Sequence, residues 1–241
     1  MNQLTLPTRI SIVLILSLNI IVGASLFYTS ANASSFKRKS ISIPSGELPT
    51  PNSVLAIPAS LISTDVSLKA KPVSIPLELK IPTLGIETSM LGVGTTNKKA
   101  MAAPVGKADD KVWQQAFWYR GSAIPGDLST ALIAGHVNGT GGIDGVFAHL
   151  ESIKAGDPII IHDTRTELDV TFRVDEIKTY ALKDMKEKSI LNDIYGTGPP
   201  SGNLPQASAD GLAHLTLITC AGTFVKTTHD HRFVVFATRV Q

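Results

Sequence analysis

From residue 76 onward the chain alternates apolar and polar residues at period two in short runs, each broken by turn-forming residues. That pattern excludes long helices and demands many half-buried strands. Leu77-Glu78-Leu79-Lys80-Ile81 is the clearest run, and Pro82-Thr83-Leu84-Gly85 turns the chain before residues 86–91 resume. Residues 130–134 and 158–161 are short apolar runs bounded by turn residues. Leu168, Val170, Phe172 and Val174 alternate with Asp169, Thr171, Arg173 and Asp175, and the phase then slips by one at Ile177. A slip of that kind predicts a β-bulge. Residues 215–219 and 233–238 supply the last two strands. Helical spacing joins only Val146, Phe147, Leu150 and Ile153 before residue 180, and residues 183–192 suit a further turn or two. Seven or eight strands with little helix predict a closed barrel or a sandwich.

The N-terminal third has a different character. Residues 10–28 form an uncharged apolar stretch, which as a helix would rise about 28 Å, enough to cross the hydrocarbon of a bilayer. It reads either as a retained signal-anchor or as a cleaved signal peptide. Its length favours the anchor, whereas Ala31-Asn32-Ala33 just beyond it suits a cleavage site. Lys37-Arg38-Lys39 on the exported side also run against the positive-inside bias. The anchor is the preferred reading, with residues 1–9 cytoplasmic and the chain single-pass in the cell membrane. Residues 29–75 are rich in Ser and Pro, which bar a long helix or a central strand, and read as an extracellular spacer contributing no core. Residues 76–241 are then the folded domain. A formal net charge of +2 and the lack of a basic stripe with interleaved aromatics exclude a nucleic-acid partner.

Cys220 is the single cysteine, so an exported chain has no partner for a disulfide within itself. A free thiol at the end of a core strand is often a small buried hydrophobe. Here its surroundings favour a reactive one. A thiolate that attacks a carbonyl needs a proton donor for the leaving amine and a stabiliser for the oxyanion. Of the six histidines, His136 stands where the apolar run 131–134 leaves through Gly135 into a glycine-containing loop. Arg232 follows Cys220 by twelve positions, at the start of the next strand. If those strands are antiparallel neighbours, Cys220 and Arg232 face one pocket. Arg120, Arg165, Arg173 and Arg239 lack such a context and read as surface residues. His229-Asp230-His231 has metal-like spacing, yet two histidines and one carboxylate more often stand solvated than hold zinc. His149 reads as structural or exposed.

Together, Leu215-Thr216-Leu217-Ile218-Thr219-Cys220, Gly135-His136 and His231-Arg232-Phe233-Val234-Val235-Phe236-Ala237-Thr238 resemble a sortase. The likeness extends over residues 76–241 and includes Leu79-Lys80-Ile81-Pro82-Thr83-Leu84-Gly85-Ile86 and the run from Val146 to Asp157. Phe117-Trp118-Tyr119-Arg120 followed by Pro125-Gly126-Asp127 leans towards the class E and F sortases. The resemblance implies an all-β, closed eight-stranded barrel with one or two short helices, and a cysteine transpeptidase. It makes Cys220 the nucleophile, His136 the general acid and base, and Arg232 the group that steadies the oxyanion. Thr219 would line the substrate subsite beside the scissile bond. Implied partners are surface proteins with LPxTG-like signals, cleaved between Thr and Gly, and an amine acceptor such as a peptidoglycan precursor. No cofactor or metal is implied. The stretch 182–211 corresponds to the loop that shapes the sorting-signal groove. Two rivals stand beside this reading: an exported cysteine hydrolase that releases peptides to water, and a non-enzymatic peptide-binding barrel.

Overall fold

The computed structural model describes Leu55 and residues 71–97, 100–196 and 205–240. The expected anchor at 10–28 and nearly all of the spacer lie outside the described residues, among which no helix is long and apolar enough to cross a membrane.

Eight strands close into a barrel: β1 (Val73–Ile81), β2 (Ile86–Val93), β3 (Ala116–Tyr119), β4 (Thr130–Gly135), β5 (Pro158–Asp163), β6 (Leu168–Ala181), β7 (His214–Val225) and β8 (Thr228–Arg239). Around the barrel they run β1-β2-β3-β4-β7-β8-β6-β5, so every described strand has two neighbours and no edge is left open. Of the barrel and the sandwich that the alternation allowed, the closed barrel, which the resemblance implied, is present. Two pairings, β2 with β3 and β4 with β7, are parallel, and the rest are antiparallel. A parallel pair cannot be closed by a hairpin, so the long connection from β4 to β7 carries β5, β6 and the single α-helix of the described residues, α1 (Lys188–Tyr195).

Alternation decides which residues fill the barrel. Leu77, Leu79 and Ile81 of β1, Ala131 and Ile133 of β4, Val170 and Phe172 of β6, and Leu215 and Leu217 of β7 share one core. The bulge expected near Ile177 is there: Val174 pairs with Ala237 but Glu176 with Phe236, which leaves Asp175 as the extra residue. β1 carries a proline at Pro76, and the β1/β2 register shifts between Ser74 and Glu78. The shift accommodates a residue with no N–H to give the ladder, while its carbonyl still accepts the N–H of Thr164 at 3.0 Å.

Three expectations need correction. Val146, Phe147, Leu150 and Ile153 are all buried, yet turns and a 3-10 segment at Leu150–Ser152 present them rather than an α-helix. Four apolar residues in a burying loop mimic helical spacing. The second helix forms, but further along than the pattern suggested, at Lys188–Tyr195. The spacer is not free of core contacts either: β1 starts at Val73, and Leu55 is 1% exposed within the barrel core cluster. Leu55→Ala should cost about 2–5 kcal/mol of stability by denaturant unfolding, the usual range for a buried leucine, and a cost near zero would show that this contact carries no weight.

Candidate active site

The outer face of the β4-β7-β8 sheet is built in rows. Leu132 lies beside Thr216 and Thr216 beside Phe236; Ala134 lies beside Ile218 and Ile218 beside Val234. Advancing the same register by one more outward-facing position sets His136 next to Cys220, and Cys220 pairs with Arg232. Residues directly opposite one another in a sheet share a face. Cys220 and Arg232 therefore share one face, and His136, the first residue past β4, lines the same cleft at the end of that row. Thr219, although buried, is among the residues lining the cleft around this row, and its hydroxyl donates to the Gly135 carbonyl at 2.9 Å just where the β4 ladder ends.

The row opens into a cleft of about 670 Å3 that Cys220, His136 and Arg232 all line. Sequence placed Cys220 and Arg232 at one pocket, and they share it. That pocket lies on the barrel's outer face rather than inside it. One wall is the β6–β7 connection with α1, through Leu182, Met185, Leu191 and Tyr195. The facing wall is the β2–β3 connection, through Ala100, Met101, Ala102 and Ala103. Nothing in the sequence marked this second wall, because a run of small residues without a period gives no face to read.

Each member of the row is held differently. Cys220 is half-buried and unpaired by any disulfide. Two residues beyond it, Gly222 takes a left-handed φ of 76° at a register shift in β7, and a Cβ there would meet the Asp230 carboxylate at 2.2 Å. This bulge bends β7 just past the thiol. Arg232 gives Nη1 to the carbonyls of His231 (2.7 Å) and His229 (3.1 Å), and Nη2 to the Thr228 hydroxyl (3.2 Å). Its Nε–H and one Nη2–H make no further hydrogen bond among the described residues. They remain as donors for an incoming oxygen. His136 sets its Nε2 2.7 Å from the Pro104 carbonyl. Its ring meets Trp113 at 4.8 Å between centroids and Phe117 edge-on at 5.3 Å. Its own carbonyl takes the Phe147 N–H at 2.9 Å. Gly135 is required here, since a Cβ would run into Phe147 at 2.5 Å and Val146 at 2.6 Å.

Residues outside the row resolve otherwise. Arg120 is not at the surface: it is 3% exposed, its stem lies against Gly92, and burial lowers its pKa. As the residue after β3, it continues a buried strand, which a charge-based reading could not see. His229 directs Nδ1 to the Gly222 carbonyl and Nε2 to Asn138, while His231 pairs with Asp230 at 2.7 Å. The two rings thus serve separate partners rather than one centre. His149 is exposed beside Asp144.

A family model described as the sortase domain matches residues 79–240, two thirds of the chain. The chain belongs to the sortase family, whose members are cysteine transpeptidases. Among solved structures it is similar to a lid mutant of sortase A from Corynebacterium diphtheriae, at 23% identity over 71% of this chain and 73% of that one, with a TM-score of 0.46. Sortase C-1 from Actinomyces oris is 16% identical over 69% and 76%, with a TM-score of 0.45. A pilus-related sortase C of Group B Streptococcus is 18% identical over 73% and 71%, with a TM-score of 0.46. No curated protein sequence matches the chain. The leaning towards classes E and F rests on residues 117–120 and 125–127 alone.

The α1 wall has its own pH signature. Burial, with Tyr119 stacked edge-on at 5.9 Å, pushes the Tyr195 phenol up to about 12. The folded state disfavours the phenolate, so this stabilisation is complete below pH 10 and is lost as pH rises towards about 12. Ultraviolet titration should show one tyrosine ionising that late, and Tyr195→Phe should remove it. An unchanged titration curve in the variant would contradict the placement of Tyr195.

Proposed function

We propose that the chain cleaves an LPxTG-like C-terminal sorting signal between Thr and Gly and transfers the acyl part to a cell-surface amine. The observation that carries this reading is that Cys220 and Arg232, paired on β7 and β8, and His136, the first residue past β4, line one mostly apolar cleft. Cys220 gives its thiol proton to His136 as Sγ attacks the threonine carbonyl carbon, and Arg232 offers its remaining N–H groups to the oxyanion. The C–N bond breaks as His136 delivers a proton to the departing glycine amine, leaving a thioester on Cys220. An acceptor amine, such as that of a peptidoglycan precursor, attacks this thioester. His136 takes the amine proton and passes it to sulfur as the C–S bond breaks, which restores the thiol. Thr219 supports the floor of the subsite by holding β7 to β4.

Cys220→Ala should abolish cleavage of a sorting-signal peptide without unfolding the protein. Arg232→Ala should lose about 100- to 1000-fold, the usual loss when an oxyanion donor is removed, and His136→Ala at least as much. Arg232→Lys should recover only part, because an ammonium lacks the planar fork that binds the hairpin carbonyls and still has donors left. Full activity in Cys220→Ala would overturn the assignment. Mass spectrometry of products with and without an added amine separates transfer from hydrolysis.

The chain is further proposed to sit in the cell membrane by residues 10–28, with the barrel on the extracellular side. The support is the length and polarity of that stretch. N-terminal sequencing of the protein from cells should find residues 1–28 retained, and a mature start just after Ala33 would replace the anchor with a signal peptide.

A further inference from the structure

The β2–β3 connection does more than wall the cleft, because it touches His136 at two points. A carbonyl oxygen can only accept a hydrogen bond, so the 2.7 Å contact with Pro104 requires a proton on His136 Nε2. In the neutral ring Nδ1 is then the bare, basic nitrogen. The ring plane is set separately. Trp113 packs on it tilted by 55°, and Phe117 meets it edge-on at 78°. Trp113 is itself locked, since its indole N–H donates to the Lys107 carbonyl at 2.6 Å and its own carbonyl accepts the N–H of Val146 at 2.8 Å. Asp110 N–H also returns to the Lys107 carbonyl at 3.1 Å, which closes the segment between Pro104 and Trp113 on itself. One short stretch thus fixes both the tautomer and the tilt of the histidine.

We propose that the stretch 104–113 is the positioning element of His136: the Pro104 carbonyl holds Nε2–H, Trp113 holds the ring, and Nδ1 alone exchanges the proton. Pro104 and Trp113 act through His136 and do not touch the reacting atoms. The inference rests on the function proposed above for the role of His136, but not for its tautomer. As Cys220 Sγ attacks, the thiol proton moves to Nδ1. It passes to the leaving glycine amine as the C–N bond breaks, and the ring returns to neutral with Nε2–H unmoved. In the second half Nδ1 takes a proton from the attacking amine and returns it to sulfur as the C–S bond breaks. The carbonyl fills the place that a carboxylate holds in a nucleophile–base–orienter triad, and it leaves no buried negative charge beside the ring.

The test is the tautomer itself. Full-length protein labelled with 15N-histidine and solubilised in detergent is read by long-range proton–nitrogen correlation, at a pH where the ring is neutral. The His136 signal is assigned by its loss in His136→Gln. The expected pattern is the Nε2–H tautomer. A dominant Nδ1–H form or an even mixture overturns the proposal, whether or not the protein turns over substrate. Trp113→Phe keeps an aromatic face but loses the bond to Lys107. It should mix the tautomer signal and lower kcat more than it raises KM. Trp113→Leu should lower kcat by about 100-fold, the scale of a misplaced catalytic group. Trp113→Phe with wild-type kcat and a single tautomer removes Trp113 from the positioning role. Loss of all transpeptidation with an intact Nε2–H signal would instead sink the proposed function and leave the tautomer assignment standing.

Discussion

The parallel pairing of β4 with β7 is the contact on which the site depends. Residues 84 positions apart in sequence lie side by side along it, from Thr130 beside His214 to Ala134 beside Ile218. The register is set by burial. Ala131, Ile133, Leu215 and Leu217 fill the barrel, and a slip of one residue would turn them outward and Cys220 inward. No local signal specifies that pairing. The hydrophobic core does, and through it the core also sets the separation of His136 from Cys220. The Thr219–Gly135 hydrogen bond then extends the ladder one step past the last paired residues, to the position where His136 leaves the sheet.

A closed barrel filled with buried apolar side chains leaves only its outer surface for a substrate. The inward faces carry Leu77, Leu79, Ile81, Phe172 and Leu217, all essentially unexposed. A peptide has no room there, so the cleft must be built by what is laid over the outside. Two connections do this. The β6–β7 connection contributes α1, whose Ile194 is fully buried in a second apolar cluster with Tyr119, Leu132 and Val234. The β2–β3 connection contributes residues 100–103. The thiol therefore sits at the seam between a rigid sheet and two laid-on segments.

The strands were legible because a half-buried strand writes its pleat into the sequence. Even the Asp175 bulge was legible, as a single phase slip. Cys220 and Arg232 could be paired from spacing alone, since one antiparallel hairpin joins them. What stayed hidden is of another kind. β3 is buried at all four positions, so Ala116-Phe117-Trp118-Tyr119 shows no alternation. Arg120 follows that strand into the interior and defeats the expectation that charge marks surface. Leu55 lies in a proline-rich stretch whose composition predicts an extended chain, and a single buried contact alters no composition.

Backbone groups are the deepest blind spot. The Pro104 and Lys107 carbonyls are chemically the same in every residue, so no motif can announce that one orients a histidine and the other a tryptophan. Their use here has a physical advantage. A carboxylate in that place would need its own solvation beside Trp113 and Phe117, both of which are buried, and desolvating a charge there costs several kcal/mol, by order of magnitude. A carbonyl accepts the same hydrogen bond at a far smaller desolvation cost. An aromatic, water-poor wall behind His136 and a neutral orienting group are thus one arrangement, each making the other workable.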